Sequence, residues 1–66
     1  MKNRIKERRT ELGMTQIELA KAVGVGQSTI ADIEVGKHIP GVDIAIRIAQ
    51  QLGIDMGDLK KIFDFD

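Results

Sequence analysis

The chain has 66 residues, ten basic and ten acidic side chains, one histidine and no cysteine. That length makes one domain, 1–66, near the lower limit for folding without staples. Without cysteine, disulfides and thiolate metal sites are excluded. A lone histidine, His38, leaves a zinc site or a histidine-based nucleophile without its other parts.

The first helix is expected from near Asn3 to Gly13. Ile5, Arg9 and Leu12 recur at i, i+4, i+7, which puts Arg9 on its inward face. A second helix follows over Gln16 to Val23, with Leu19, Ala20 and Val23 on one face. Thr15 before it and Glu18 three residues later have capping-box spacing, each side chain satisfying a free backbone N–H. Gly24 enters the left-handed conformation at low cost and turns the chain. A third helix runs from Gln27 to Val35 and carries Ile30 and Ile33 inward. Ser28 lies about 200° around it from Ile30, so Ser28 and Asp32, four apart, face away from the core. Glu34 is only about 40° from Ile30, on or beside the buried face. A buried charge is costly unless paired. Arg9 and Glu34 are therefore expected to meet and tie helix 1 to helix 3; the alternative is that both reach solvent at the core's edge.

The loop Gly36 to Gly41 comes next, with Pro40 disfavouring helix at Ile39. A fourth helix is expected from about Val42 to Leu52, stopping at Gly53. Asp43, Arg47, Gln50 and Gln51 form its polar stripe, and its remaining residues cover roughly 200° of surface, wide for so small a monomer. Asp55 can cap a short fifth helix from Met56 to about Ile62, which Gly57 weakens by about 1 kcal/mol relative to alanine.

Residues 16–35, QIELAKAVGVGQSTIADIEV, thus read as two short helices on a glycine turn, the spacing of a DNA-reading helix-turn-helix. With Arg9, the segments LGMTQIELAKAVGV (12–25), STIADIEVGK (28–37) and, after Pro40, VDIAIRIAQQLGI (42–54) give the chain its resemblance. From Ile5 to about Leu59 it resembles the phage-repressor and Cro-type (XRE family) helix-turn-helix regulators. The resemblance implies an all-α, five-helix repressor-like domain that binds double-stranded DNA as a transcriptional regulator, repressing by occupying a promoter, and is not an enzyme. The Arg9–Glu34 pairing is also a feature of that family.

The candidate DNA-binding residues follow from geometry and resemblance together. The family counterpart of Gln16 touches a phosphate and braces a base-reading side chain. Gln27 and Ser28 open helix 3, the part of a recognition helix nearest the base edges, and glutamine can bond adenine at both N6 and N7. Thr29 and Lys37 are placed for phosphate. Asp32 could accept from a cytosine amine; its alternatives are a solvated carboxylate or an internal partner for Lys37 or Arg8. The chain departs from the family at Val35, where asparagine is common, at Ile17, where a polar residue is usual, and at Gly26 and Gly41, where serine or threonine usually caps.

Charge is unevenly distributed. Residues 1–9 carry five basic side chains against Glu7, and 55–66 carry four aspartates against Lys60 and Lys61, so attraction to phosphate is local. Only two aromatics, Phe63 and Phe65, argue against a stacking platform for single strands. No apolar run is long enough for a membrane span and none follows the basic start as in a signal peptide, so a cytoplasmic domain is expected, with no cofactor and no small-molecule ligand. One recognition helix reads few base pairs, so a homodimer is expected, with Ile44 or Ile46, Ile62, Phe63 and Phe65 as contact material; the alternative is that the tail folds back on its own core. The rival function is a non-enzymatic module, an antitoxin or adaptor whose main partner is a protein.

Overall fold

The structure is a computed structural model that describes residues 2–54 and 63–64. Four helices follow in chain order: α1 (Ile5–Glu11), α2 (Gln16–Val23), α3 (Gln27–Glu34) and α4 (Val42–Gln51). Apart from one short ladder, the regular elements among these residues are all helices. The fifth helix expected over 56–62 lies outside the described residues.

The ladder is antiparallel and two residues long, pairing β1 (Lys2–Asn3) with β2 (Phe63–Asp64), Lys2 opposite Asp64 and Asn3 opposite Phe63. It corrects the expected start of the first helix. Asn3 is extended and paired with Phe63, so α1 begins two residues later, after Arg4. The backbone at 63–64 therefore runs beside the start of the chain. Helices α3 and α4 each end one residue earlier than expected, with Val35 and Leu52 as their C-caps, within the usual fraying of a last turn.

The helix stops follow the sequence. Gly24 closes α2 at φ 90°, and its N–H and that of Val25 both bond the Ala20 carbonyl, at 2.8 and 3.0 Å. This satisfies an end-of-helix acceptor in a conformation where a side chain would be strained. The capping box at the other end of α2 is complete: Glu18 N–H donates to Thr15 Oγ1 at 3.1 Å, and Thr15 N–H to Glu18 Oε1 at 2.9 Å.

One core joins the helices. Ile5, Leu19, Ala20, Val23, Ile30, Ile33, Ala45, Ile48 and Leu52 form it, and Met14, Val25, Ile44 and Ile54 pack on its rim. These are the periodic positions of each helix, and burying the larger ones contributes about 1.5–3 kcal/mol apiece. The broad apolar face of α4 divides accordingly. Ala45, Ile48 and Ala49 are buried, Ile44 and Ile46 half-buried, and Val42 is exposed. No helix among the described residues is long and apolar enough to cross a membrane.

Candidate nucleic-acid interface

Helix α3 is presented by its two ends. At its start the chain is extended at Gly26 (φ −77°, ψ 156°), and no side chain caps the helix. The Thr29 N–H bonds the Gly26 carbonyl at 3.1 Å, and Gln27 and Ser28, which precede it, are exposed. At its far end Glu34 is anchored in the interior, its side chain only 2% exposed. Arg9 Nε donates to Glu34 Oε2 at 2.7 Å and Arg9 Nη2 to Oε1 at 3.3 Å. A third Arg9 bond, from Nη1 to the Met14 carbonyl at 2.7 Å, fixes the guanidinium. The expected pairing is thus present, and the two charges do not part to solvent. Planar bidentate geometry is the strong form of this interaction.

The first residue of α2 joins the same cluster. Gln16 Nε2 donates to Glu34 Oε1 at 3.0 Å, and Gln16 Oε1 accepts from Gln27 Nε2 at 3.4 Å. Of the six candidate residues, Gln16 and Gln27 are therefore brought into contact. Ser28 lies exposed beside Gln27, Thr29 is half-buried one position on, and Asp32 and Lys37 are exposed along and beyond α3. The backbone N–H groups of Lys37 and His38 both bond the Asp32 carbonyl, at 2.8 and 3.2 Å, which folds the loop back on the helix. Arg8 is not the partner of Asp32: it reaches Glu11 at 3.2 Å and the Leu52 carbonyl at 3.0 Å.

The link from Gln16 to Glu34 was not among the sequence expectations. Its signal was present, because Gln27 and Glu34 are seven apart and lie within about 20° of one line along α3. A side chain from α2 that reaches Gln27 can therefore also lie on the line to Glu34. Among the described residues no cluster of histidine and acidic side chains could hold a metal ion.

The chain is similar to several known proteins. A family model described as Helix-turn-helix matches residues 5–59. A protein of Archaeoglobus fulgidus, described as an uncharacterised HTH-type transcriptional regulator, is 46% identical over 66 residues, which cover 100% of this chain and 90% of the relative. The ImmF control region 10 kDa protein of Bacillus phage phi105 is 38% identical over 56 residues, covering 85% of this chain and 62% of its own length. The N-terminal DNA binding domain of SinR from Bacillus subtilis, a solved structure, matches with a TM-score of 0.75 at 30% identity, over 85% of this chain and 83% of that one. The chain belongs to the helix-turn-helix family, of the phage-repressor and Cro type.

Proposed function

We propose that this domain binds duplex DNA sequence-specifically through the start of α3 and regulates transcription by occupying a promoter. The observation that carries the reading is the exposure of Gln27 and Ser28 at an uncapped helix start, on a helix whose other end is fixed in the core. Helix N-termini favour phosphate, and the first residues of a recognition helix meet base edges. Regulators named for transcription among the relatives, and a DNA-binding domain as the structural match, support it. In this reading Gln27 and Ser28 contact bases, Gln16, Thr29 and Lys37 contact phosphates, and Asp32 faces a cytosine amine. The same reading takes the five-helix form of the fold over residues 1–66 and a homodimer on half-sites about 34–36 Å apart. The family is one of regulators, not of enzymes.

The test begins with selection from a random duplex pool. On the recovered site, Gln27→Ala and Ser28→Ala should each weaken specific binding by about 1–3 kcal/mol with circular dichroism unchanged. Unaltered base preference in both variants would place the reading surface elsewhere. Light scattering of the complex should give two chains per site, and one chain on a site without an inverted repeat would rule out the dimer.

A second reading, a module whose main partner is a protein, draws on Val35, Ile39 and Val42, which are 65–77% exposed at the α3–α4 connection. Retention on duplex DNA that falls steeply with salt favours the first reading.

A further inference from the structure

The hydrogen bonds from Arg9 through Glu34 and Gln16 to Gln27 have a direction as well as a geometry. Paired with a guanidinium, the Glu34 carboxylate offers acceptors only. Whatever meets Glu34 Oε1 at 3.0 Å must donate, so Gln16 has to present its amide nitrogen there. The other end of the Gln16 amide is then the oxygen, and it faces Gln27. Gln27 must in turn present its nitrogen, at 3.4 Å. One N–H and the carbonyl oxygen of Gln27 remain free.

One donor beside one acceptor is the complement of the adenine edge, with its N7 acceptor and N6 donor. The guanine edge carries two acceptors, N7 and O6, and would leave the Gln27 oxygen facing another oxygen. We infer that Glu34 is a specificity-determining positioning residue: through Gln16 it sets the polarity of the Gln27 amide, so that the base opposite Gln27 is read as adenine rather than guanine. The inference rests on the reading above, in which Gln27 touches a base.

Reversing the relay is the test. In Glu34→Gln the donor-only guanidinium of Arg9 holds the new amide's oxygen, which turns the amide nitrogen towards Gln16. Gln16 must then present its oxygen to residue 34 and its nitrogen to Gln27. Gln27 accepts with its oxygen and is left with two free N–H donors, which suit guanine. The probe is the duplex recovered by selection, together with copies carrying each single adenine-to-guanine exchange. For folded Glu34→Gln, the preference for adenine over guanine should fall by about tenfold or reverse at one position, with the other positions unchanged. A loss of affinity spread equally over all positions, or an unchanged preference at that position, would overturn the inference.

Gln27→Ala separates the two levels of the argument. If it alters base preference nowhere, the base-reading role of Gln27 fails, and the inference with it. If it erases the preference at one position while folded Glu34→Gln preserves it there, the inference alone fails. Should Glu34→Gln not fold, Gln16→Met carries the test, because it leaves the Arg9–Glu34 pair in place and cuts the link to Gln27. Its expected result is loss of the adenine preference at that same position without a turn to guanine, and an unchanged preference would overturn the inference.

Discussion

On the α2–α3 side of the domain, polar side chains are bonded inward and to one another. Arg9, Glu34, Gln16 and Gln27 make a continuous line from the interior to the surface. Thr15 and Glu18 close the start of α2. On the α1–α4 side, Arg4 meets Glu7 at the surface at 3.9 Å, Arg8 meets Glu11 and the end of α4, and the start of α4 at Gly41 has no side-chain cap. Pairs of the second kind contribute little in water, whereas a bidentate pair buried at the hub of several bonds cannot lose one member without stranding the other. Polar order is dense on the α2–α3 side and sparse on the α1–α4 side, although the start of α3 at Gly26, like that of α4, has no side-chain cap.

Breaking the inner pair gives the largest effect. Arg9→Ala should cost about 3–5 kcal/mol in chemical denaturation, since it strands a carboxylate that is 2% exposed. Arg9→Ala combined with Glu34→Ala should cost less than the sum of the two single changes, and strict additivity would deny the pair. On the other side, Arg8→Ala loses a bond to the Leu52 carbonyl and a surface pair with Glu11 from a side chain 37% exposed, and its cost should be about 1 kcal/mol. If the two arginines proved equal in effect, the contrast between the two sides would be gone.

The helix starts sharpen the comparison. Thr15→Ala removes half of the capping box and should destabilise by about 1 kcal/mol. Gly26→Ser should instead stabilise by a few tenths of a kcal/mol, because the backbone there is already extended and serine is a better N-cap than glycine. A β-carbon at Gly26 has only Ser28 Oγ near it, at 3.9 Å, whereas at Gly41 it would sit 3.2 Å from Asp43 Oδ1. Gly41→Ser should therefore gain less than Gly26→Ser, and thermal melts of the two variants decide the order.

The smallest effect is a pH dependence. The Thr15 backbone N–H, and after it the Thr15 side chain, hold the exposed Glu18 carboxyl below its ordinary pKa. A carboxyl lowered on folding contributes stability above its unfolded-state pKa and loses it as the pH falls through the folded value. Acidification should therefore weaken the start of α2. A carbon-detected NMR titration should give Glu18 a lower midpoint in the folded protein than in the urea-unfolded chain, and coincident midpoints would mean that the box is open in solution.

Much of this was legible in the sequence because local rules decide it. The capping box at Thr15 and Glu18, the turn at Gly24 and the inward rows of Ile30 and Ile33 depend on residues only a few positions apart. The Arg9–Glu34 pair was also legible, since helical phase put both charges against the core. The start of α1 was not, because a tertiary pairing of Asn3 with Phe63 decides it, and no local signal announces a partner at the far end of the chain. The bond between Gln16 and Glu34 was missed for a related reason. Phase shows which way a side chain faces, but which neighbours it bonds depends on how two helices cross.

Every member of the line from Arg9 to Gln27 lies between residues 9 and 34, on one uninterrupted stretch of chain that ends before α4 begins. In the reading proposed above, Gln27 and the groups that brace it are therefore encoded side by side. On the same reading, an exchange of that stretch between two relatives carries Gln27 and Ser28 with their brace, and leaves behind Lys37, the α4 surface and the terminal ladder. Because Leu19, Ala20, Val23, Ile30 and Ile33 share one core with Ile5, Ala45, Ile48 and Leu52, such an exchange also has to keep the apolar residues that meet the rest of the fold.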